Sequence, residues 1–355
     1  MAWSILQHST DAVDAAGAFL ANADKQPNSL DWNLDLVLKY DESLAIINNW
    51  RACHNFPLNT FQIGLRRRAK QVEHSSLIVQ RTKRLSSISL KLQRFPKLKL
   101  SEMQDIGGCR AIVHTVAHVE KLVKNYSESQ IKHKQIDFDN YINNPKPSGY
   151  RGHHLIYSYY SDKKTTYNGR KIEIQIRTQL QHAWATAVET VGTFTKQALK
   201  SSRGEADWLR FFALMGTAIA VRENSPPVPK TPDNTRDLKS ELVDYAKKLD
   251  VENRLQVYGA ALQTLEQPSL ADAHYFLLKL DPSPNAPTVQ ITGYKQMELE
   301  KASKEYLDIE KAISKGTHAD AVLVSAESFA NLRRAYPNYF LDTKEFLAAL
   351  RQAIA

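Results

Sequence analysis

The residues of this chain that could do chemistry are cations, two acids and a few glycines, gathered in four short stretches. The first reads Arg81-Thr-Lys83-Arg84-Leu-Ser-Ser87-Ile-Ser-Leu-Lys91-Leu-Gln-Arg94. Lys83, Ser87 and Lys91 stand four apart, so on a helix they line one stripe, while Leu85, Ile88 and Leu92 line another suited to a core. Two ammonium groups and a hydroxyl on one stripe, with Arg81 at the helix entrance, can hold a polyphosphate; the plainer reading is a surface helix with ordinary basic residues. The second stretch, Asp105-Ile-Gly-Gly108-Cys-Arg110, sets an acid in a glycine turn ahead of the apolar run Ala111-Ile-Val113. A carboxylate there is a hard oxygen ligand of the kind Mg2+ takes alongside substrate phosphates, although a simple Asx turn has the same spelling.

The third stretch, Lys171-Ile-Glu173-Ile-Gln175-Ile-Arg177-Thr178, alternates strictly. In a strand its three isoleucines fall on one face, and Glu173, Gln175 and Arg177 fall on the other. Such a row of carboxylate, amide and guanidinium is either a working surface or the solvated side of an antiparallel sheet. Between these stretches lies the loop Lys146-Pro-Ser148-Gly149-Tyr150-Arg151-Gly-His153-His154, whose tyrosine could stack on a base or simply pack.

Taken together and in order, Arg-x-Lys-x-x-x-Ser-x-x-x-Lys, Asp-Ile-x-Gly-x-Arg, Lys-x-Ser-Gly-Tyr-Arg-x-x-His and Glu-Ile-Gln-Ile-Arg-Thr resemble the synthetase domain of the RelA/SpoT family over roughly residues 45–220. The small stand-alone synthetases are the nearest match, since the last motif runs into Gln179-Leu-Gln-His-Ala-Trp184-Ala. The resemblance implies a nucleotidyltransferase-like mixed β-sheet flanked by helices, an α/β (α+β) fold. It implies transfer of the β,γ-pyrophosphate of ATP to the ribose 3′-hydroxyl of GDP or GTP, making (p)ppGpp and releasing AMP. Carried over by motif position, Arg81, Lys83, Ser87 and Lys91 would hold the ATP phosphates with help from Arg110. Asp105 would bind Mg2+, and Glu173 would share that ion or deprotonate the acceptor hydroxyl. Tyr150 would stack on the acceptor base, with Lys146 and His154 close by and Gln175 and Arg177 lining the same cleft.

The acceptor motif departs from the family pattern at Gly152-His153, where a serine and an apolar or aromatic residue usually precede the last histidine. That departure bears on the acceptor, and some relatives pyrophosphorylate the 3′-CCA end of tRNA or modify adenine nucleotides. The run Arg66-Arg67-Arg68-Ala-Lys70 suits an RNA backbone as well as it suits ATP. A non-catalytic regulatory or RNA-binding protein on the same fold is a third reading. No His-Asp dipeptide occurs, so the metal-dependent hydrolase half of the long family members is not expected.

These stretches need elements to carry them. Residues 1–80 read as mostly helical, residues 81–95 as an amphipathic helix, and residues 109–114, 154–160 and 171–177 as strands, the last two joined by a hairpin turn at Asn168-Gly169. Helix returns from Gln179 to Val221. Four prolines between Arg222 and Asn234 then break the pattern. Beyond them come a helix over 237–267, strands at 275–280, 288–292 and 321–325, and helices at 295–315 and 345–354. The expected organisation is a helical extension at 1–44, a synthetase domain at 45–221, a Pro-rich linker at 222–236 and a smaller C-terminal α/β domain at 237–355. That last domain is expected to bind the synthetase domain or a regulator, and self-association of the chain is a further expectation. Its Tyr294, Tyr306, Tyr336 and Tyr339 read as packing residues.

Composition narrows the class. With 355 residues, 43% apolar and 24% charged, the chain can fill two hydrophobic cores and is not a disordered polymer. Two cysteines support neither a disulfide framework nor a cysteine zinc site and point to a reducing compartment, here the cytoplasm. The run Phe211 to Val221 is too short to span a bilayer, and the first residues lack a basic-then-apolar leader pattern, so no membrane association is expected. The net charge is +9, but residues 51–100 alone hold 12 Lys/Arg against the single acid Glu73, and residues 1–50 hold 2 against 7. An anionic partner for the basic window is the simplest inference.

Overall fold

The computed structural model describes residues 3–25, 33–195, 205–266, 270, 272–283, 286–314 and 319–355. Three helices come first: α1 (Thr10–Lys25), α2 (Leu34–Ala52) and α3 (Asn55–Val72). Strand β1 (Leu77–Thr82) follows, so the helical reading of the first 80 residues stops short at Leu77. The basic helix α4 spans Leu85–Arg94, which leaves Arg81 on β1 and Lys83 in the turn between the two rather than on the helix itself. After it come β2 (Gly107–Val113), α5 (Val116–Ser127), β3 (Lys134–Asn140), β4 (His153–Ser158) and β5 (Lys171–Thr178). β4 and β5 are antiparallel as expected, but Ser158 pairs with Lys171, so residues 159–170 form the connection; Asn168-Gly169, with Gly169 at φ 83°, is the last bend of that loop and not a two-residue hairpin turn. Helices α6 (Gln179–Thr195) and α7 (Ala206–Arg222) complete this part.

The chain continues through α8 (Thr235–Lys248), α9 (Val251–Ala261), β6 (Gln263–Glu266), β7 (Tyr275–Asp281), β8 (Thr288–Tyr294), α10 (Leu299–Ser314), β9 (Asp320–Ser325), α11 (Phe329–Ala335) and α12 (Lys344–Ile354). The helix expected over 237–267 thus breaks at Leu249-Asp250, where Asp250 has φ 49°, and ends in a strand. The C-terminal segment is α/β in content, but its strands do not form a second sheet. They extend the first, in the order β3-β4-β5-β2-β1-β9-β7-β8-β6. The sheet is mixed: β2 with β5 and β6 with β8 are parallel, and the other pairs are antiparallel. The join is narrow, with only Gln80 opposite Ser325 and Arg81 opposite Val324. Strand β1 offers a free edge beside β2, and an unpaired edge is satisfied by whatever strand the chain can bring to it.

Alternation decides the two faces. Ile172, Ile174 and Ile176 of β5, with Leu155 and Tyr157 of β4, pack under the α3 stripe Leu58, Phe61, Leu65 and the α5 stripe Val119, Leu122. The opposite face of β1, β2 and β5 carries Arg81, Gly108, Arg110, Glu173 and Gln175 in register. A helical layer built on Trp184, Trp208, Phe211 and Phe212 joins α6 and α7 to α8, α9 and α12. The Pro-rich connection is held against this layer rather than free: Val228 is buried, its N–H donates to Thr217 Oγ1 at 2.9 Å, and Arg151 Nη2 donates to Pro226 O at 2.6 Å. Both cysteines are buried free thiols. Among the described residues, no helix is long and apolar enough to cross a membrane.

Candidate active site

The ends of β1 and β2 bring the first two sequence stretches together. Lys83 follows β1, Asp105 precedes β2, and the antiparallel pairing of those strands sets them side by side: Lys83 Nζ donates to Asp105 Oδ2 at 2.6 Å. Helix α4 buries Leu85, Ile88 and Leu92 and leaves Lys91 on its other side, where Nζ reaches Asp105 Oδ1 at 2.9 Å. Burial alone would raise the Asp105 pKa, but the two lysine charges outweigh it and hold the carboxyl well below the usual carboxylate range. Ser87 lies half-buried on α4 between the two lysines in sequence.

Parallel pairing of β2 with β5 then places Gly108 opposite Glu173 and Arg110 opposite Gln175. Arg110 Nε donates to Gln175 Oε1 at 3.2 Å, and Gln175 Nε2 donates to Glu173 Oε2 at 2.7 Å. On the neighbouring strand β4, His154 Nδ1 contacts Glu173 Oε1 at 2.7 Å, and its Nε2 meets the Tyr150 hydroxyl at 2.7 Å. Burial works against a charged ring, yet Tyr150 and Glu173 more than offset it and raise the His154 pKa to about 9. Burial and the Asp105 charge push the Glu173 carboxyl up, whereas His154 and the Gln175 amide pull it down, and the net direction is down. Both members of the pair are therefore held in their charged forms. Arg81, Lys83, Asp105, Arg110, Glu173 and Gln175 all line one cavity.

Two expected residues sit differently. Arg177, 3% exposed, turns away to His182 Nδ1, and burial and the Arg110 charge push its pKa down. The Tyr150 ring is 6% exposed and packs edge-on against Tyr141, His154 and Trp184. Lys146 Nζ lies 4.0 Å from the Tyr141 ring centroid and 5.5 Å from that of Tyr150. This loop is fixed from behind by two glycines. Gly149 has φ 94°, a Cβ there would stand 2.7 Å from Phe212 O, and a Cβ on Gly216 of α7 would stand 2.8 Å from Gly149 Cα. Helix α7 and the loop can approach this closely only with glycine on both sides.

Sequence reasoning missed Tyr141 and Tyr336. Tyr141 stands nine positions before Tyr150 in an unremarkable polar stretch, and only the folded loop brings the rings together. Tyr336 comes from the far end of the chain, follows α11, and lines the cavity beside Arg81 and Arg110. Close by, Arg84 pairs with Asp320 at the start of β9, and Arg84 Nη1 also donates to the Tyr339 hydroxyl at 3.2 Å. The cavity that remains is about 60 Å3.

Residues 80–196 match the family model described as "Region found in RelA / SpoT proteins". The chain carries a RelA/SpoT region. Over 123 residues it is 34% identical to a GTP pyrophosphokinase of Haemophilus influenzae, an alignment covering 33% of this chain and 14% of that protein. Over 121 residues it is 34% identical to the GTP pyrophosphokinase YjbM of Bacillus subtilis, covering 32% of this chain and 56% of that one. The chain thus spans little more than half the length of one curated relative and a seventh of the other. Among solved structures, the small alarmone synthetase 2 of Bacillus subtilis aligns with a TM-score of 0.42 at 21% identity, covering 50% of this chain and 94% of that one. The RelA/SpoT region begins on β1 and ends just past α6, so it contains every expected site residue; the shared sheet extends beyond it.

Proposed function

We propose that this chain is a nucleotide pyrophosphokinase that moves the β,γ-pyrophosphate of ATP to the ribose 3′-hydroxyl of GDP or GTP and releases AMP. The observation that carries this reading is the meeting of Lys83 and Lys91 at Asp105 across one cavity from the Glu173–His154 pair. Phosphoryl-type transfer asks a protein mainly to position the reactants and neutralise charge, and a cationic wall opposite two carboxylates does both. Arg81, Lys83, Ser87, Lys91 and Arg110 hold the ATP phosphates. Glu173, kept ionised by the His154 imidazolium, takes the proton of the acceptor hydroxyl, and Tyr150 and Lys146 shape the acceptor side.

The donor set suits a divalent cation, read here as Mg2+. Asp105 and Glu173 are hard oxygen ligands on one cavity, and among the described residues no group of three or more His, Cys, Asp or Glu side chains is placed to hold a metal alone. Asp105 and Glu173 would hold such an ion together with the substrate phosphates, and it would supply neutralisation of phosphate charge.

We further propose that residues 237–355 restrain the cleft. Tyr336 lines it, Asp320 engages Arg84, and the remaining 60 Å3 is far below the roughly 300 to 1,000 Å3 of a ligand pocket. Equal growth of cells expressing residues 1–225 and the full chain would count against restraint. The transfer itself is tested with the purified chain, ATP labelled in its γ-phosphate, and GDP, GTP or tRNA supplied in turn. Label in the guanosine nucleotide supports the reading, label in tRNA alone replaces the acceptor, and no AMP with any acceptor removes the enzymatic reading. The basic run favours tRNA less once folded, because Arg66 and Lys70 are both spent on Glu327.

A further inference from the structure

Helix α4 begins without a cap of its own. Its N-cap residue is Arg84, whose side chain has no oxygen to accept from the first-turn N–H groups, and no side-chain cap bond forms there. The first of those groups belongs to the buried Leu85, and it donates instead to Glu310 Oε1 at 2.8 Å. Glu310 lies 225 positions further along the chain, on α10, and is 7% exposed. A carboxylate placed there meets both an orphan donor and the positive end of the helix dipole.

The capping carboxylate is itself fixed. Arg51 Nη1 of α2 donates to Glu310 Oε2 at 2.6 Å, and the Tyr306 hydroxyl, one turn earlier on α10, donates to Oε1 at 2.7 Å. The two residues ahead of Leu85 are held as well. The Lys83 N–H donates to Ile106 O at 2.8 Å, and the Arg84 guanidinium pairs with Asp320 of β9. Two of these three consecutive residues are thus anchored by the C-terminal segment, and the third is Lys83, which with Lys91 grips Asp105. Lys91 follows Leu85 along α4 by about 9 Å at 1.5 Å per residue, so a shift or fraying of the first turn reaches its ammonium group.

We propose that Glu310 is a positioning residue of the donor site: by capping α4 from the C-terminal segment, it sets the helix on which Ser87 and Lys91 meet the ATP phosphates. This inference rests on the pyrophosphokinase reading, and it gives the segment that supplies Tyr336 a second, supporting effect on the cleft. Two double variants of the full chain test it. Arg51→Met, Glu310→Leu removes the cap without leaving a buried charge, whereas Arg51→Met, Glu310→Gln removes the same charges but keeps an oxygen for the Leu85 N–H. The leucine variant should bind a non-hydrolysable ATP analogue about 5-fold more weakly than the glutamine variant, equivalent to about 1 kcal/mol. The first-turn amides of α4 should also exchange with deuterium several-fold faster in it. Glu310→Asp, which keeps the charge beside Arg51 but shortens the reach by one methylene, should move both readouts in the same direction, and it decides alone if the leucine variant fails to fold. Equal analogue affinity in the two double variants, whatever their Tm, makes Glu310 a structural residue only and overturns the proposal. If the unaltered chain binds no analogue, the pyrophosphokinase reading fails, while the exchange rates of α4 still decide the cap.

Discussion

One face of one sheet serves two purposes on either side of the junction between β1 and β9. On the β1-β2-β5 side it carries Arg81, Arg110, Glu173 and Gln175: Arg110 bonds Gln175, Gln175 bonds Glu173, and Glu173 pairs with His154, while Lys83 and Asp105 pair with each other at the strand ends. On the β9-β7-β8 side the same face carries Val322, Val324, Phe276, Leu278 and Ile291, sealed by Leu332, Tyr336, Tyr339 and Phe340. The backbone is continuous across the join, so residue type alone decides which half is a cleft and which is a core. Burial of the apolar half is worth about 25 cal/mol per Å2 of surface removed from water, whereas the polar half gains nothing from closing unless each charge keeps a partner. The cover of the apolar half overhangs the polar half by one residue, Tyr336, and the two halves are therefore not independent.

The sharpest way to break this contrast is to remove one charge from the polar half. Glu173→Gln keeps the size and the amide contact of the side chain but takes away the proton acceptor. AMP release should fall by about 10² to 10⁴-fold if the carboxylate acts as the base, and His154→Gln, which breaks the same pair but spares the carboxylate, separates that loss from any fall in melting temperature. Near wild-type turnover would show that the polar row is a solvated face after all.

The next largest effect lies on stability, at the pair that links the halves beneath the sheet. Arg51 of α2 and Glu310 of α10 are both buried, and Glu310 Oε1 also accepts from the Leu85 N–H at 2.8 Å. Arg51→Met strands the Glu310 carboxylate and should cost about 3 to 5 kcal/mol by denaturant unfolding. The double variant Arg51→Met, Glu310→Leu should recover most of that loss. Equal destabilisation in both would mean that packing of the two helices, not the charge pair, holds the junction.

A smaller effect is set by pH. The His154 pKa is raised from 6.5 to about 9 by its folded partners, so the stability it contributes is fully present below about pH 6.5 and is lost as pH rises through 9. Unfolding free energy should decline by on the order of 2 kcal/mol between pH 6.5 and 9.5, and His154→Gln should flatten that decline. An unchanged slope in the variant would place the titration elsewhere.

How far the sequence disclosed all this follows the range of the interactions. Glu173, Gln175 and the isoleucines between them were legible because period two needs only a strand, and Lys91 and Asp105 because helix spacing and a glycine turn are local signals, whereas Lys83 reaches Asp105 from the turn before α4 and not along a helical stripe. The antiparallel pairing of β4 with β5 was equally plain, though the length of the loop between them was not. Strand β3 was passed over although Ile136 and Phe138 alternate with Asp137 and Asp139, because the run is short and stays exposed at the sheet edge, and so was the start of β1, whose continuous Leu77-Ile-Val reads equally as helix. The junction with β9 involves residues 80 and 325, and nothing in either stretch names the other. Arg177 reads as part of the polar row, yet the strand ends there and the side chain swings to His182 on α6.

The smallest predicted effect sharpens the contrast most, because it concerns a residue of the apolar cover that also lines the cleft. Tyr336 is buried in the apolar cover and lines the cavity beside Arg81 and Arg110. If it restrains the cleft, Tyr336→Ala in the full chain should lower the Kd for a non-hydrolysable ATP analogue several-fold, equivalent to about 1 kcal/mol, by favouring the open form. The same truncation also removes core packing, so a fall in Tm alone is uninformative. Tyr294→Ala supplies the comparison: that ring is buried in the same C-terminal segment but packs with Tyr275 and Tyr306 on the other face of the sheet. It should lower Tm to a similar degree and leave the Kd for the analogue unchanged. Equal Kd values in the two variants would assign Tyr336 to the core alone, and the cleft would then be narrow for reasons that lie within the polar half.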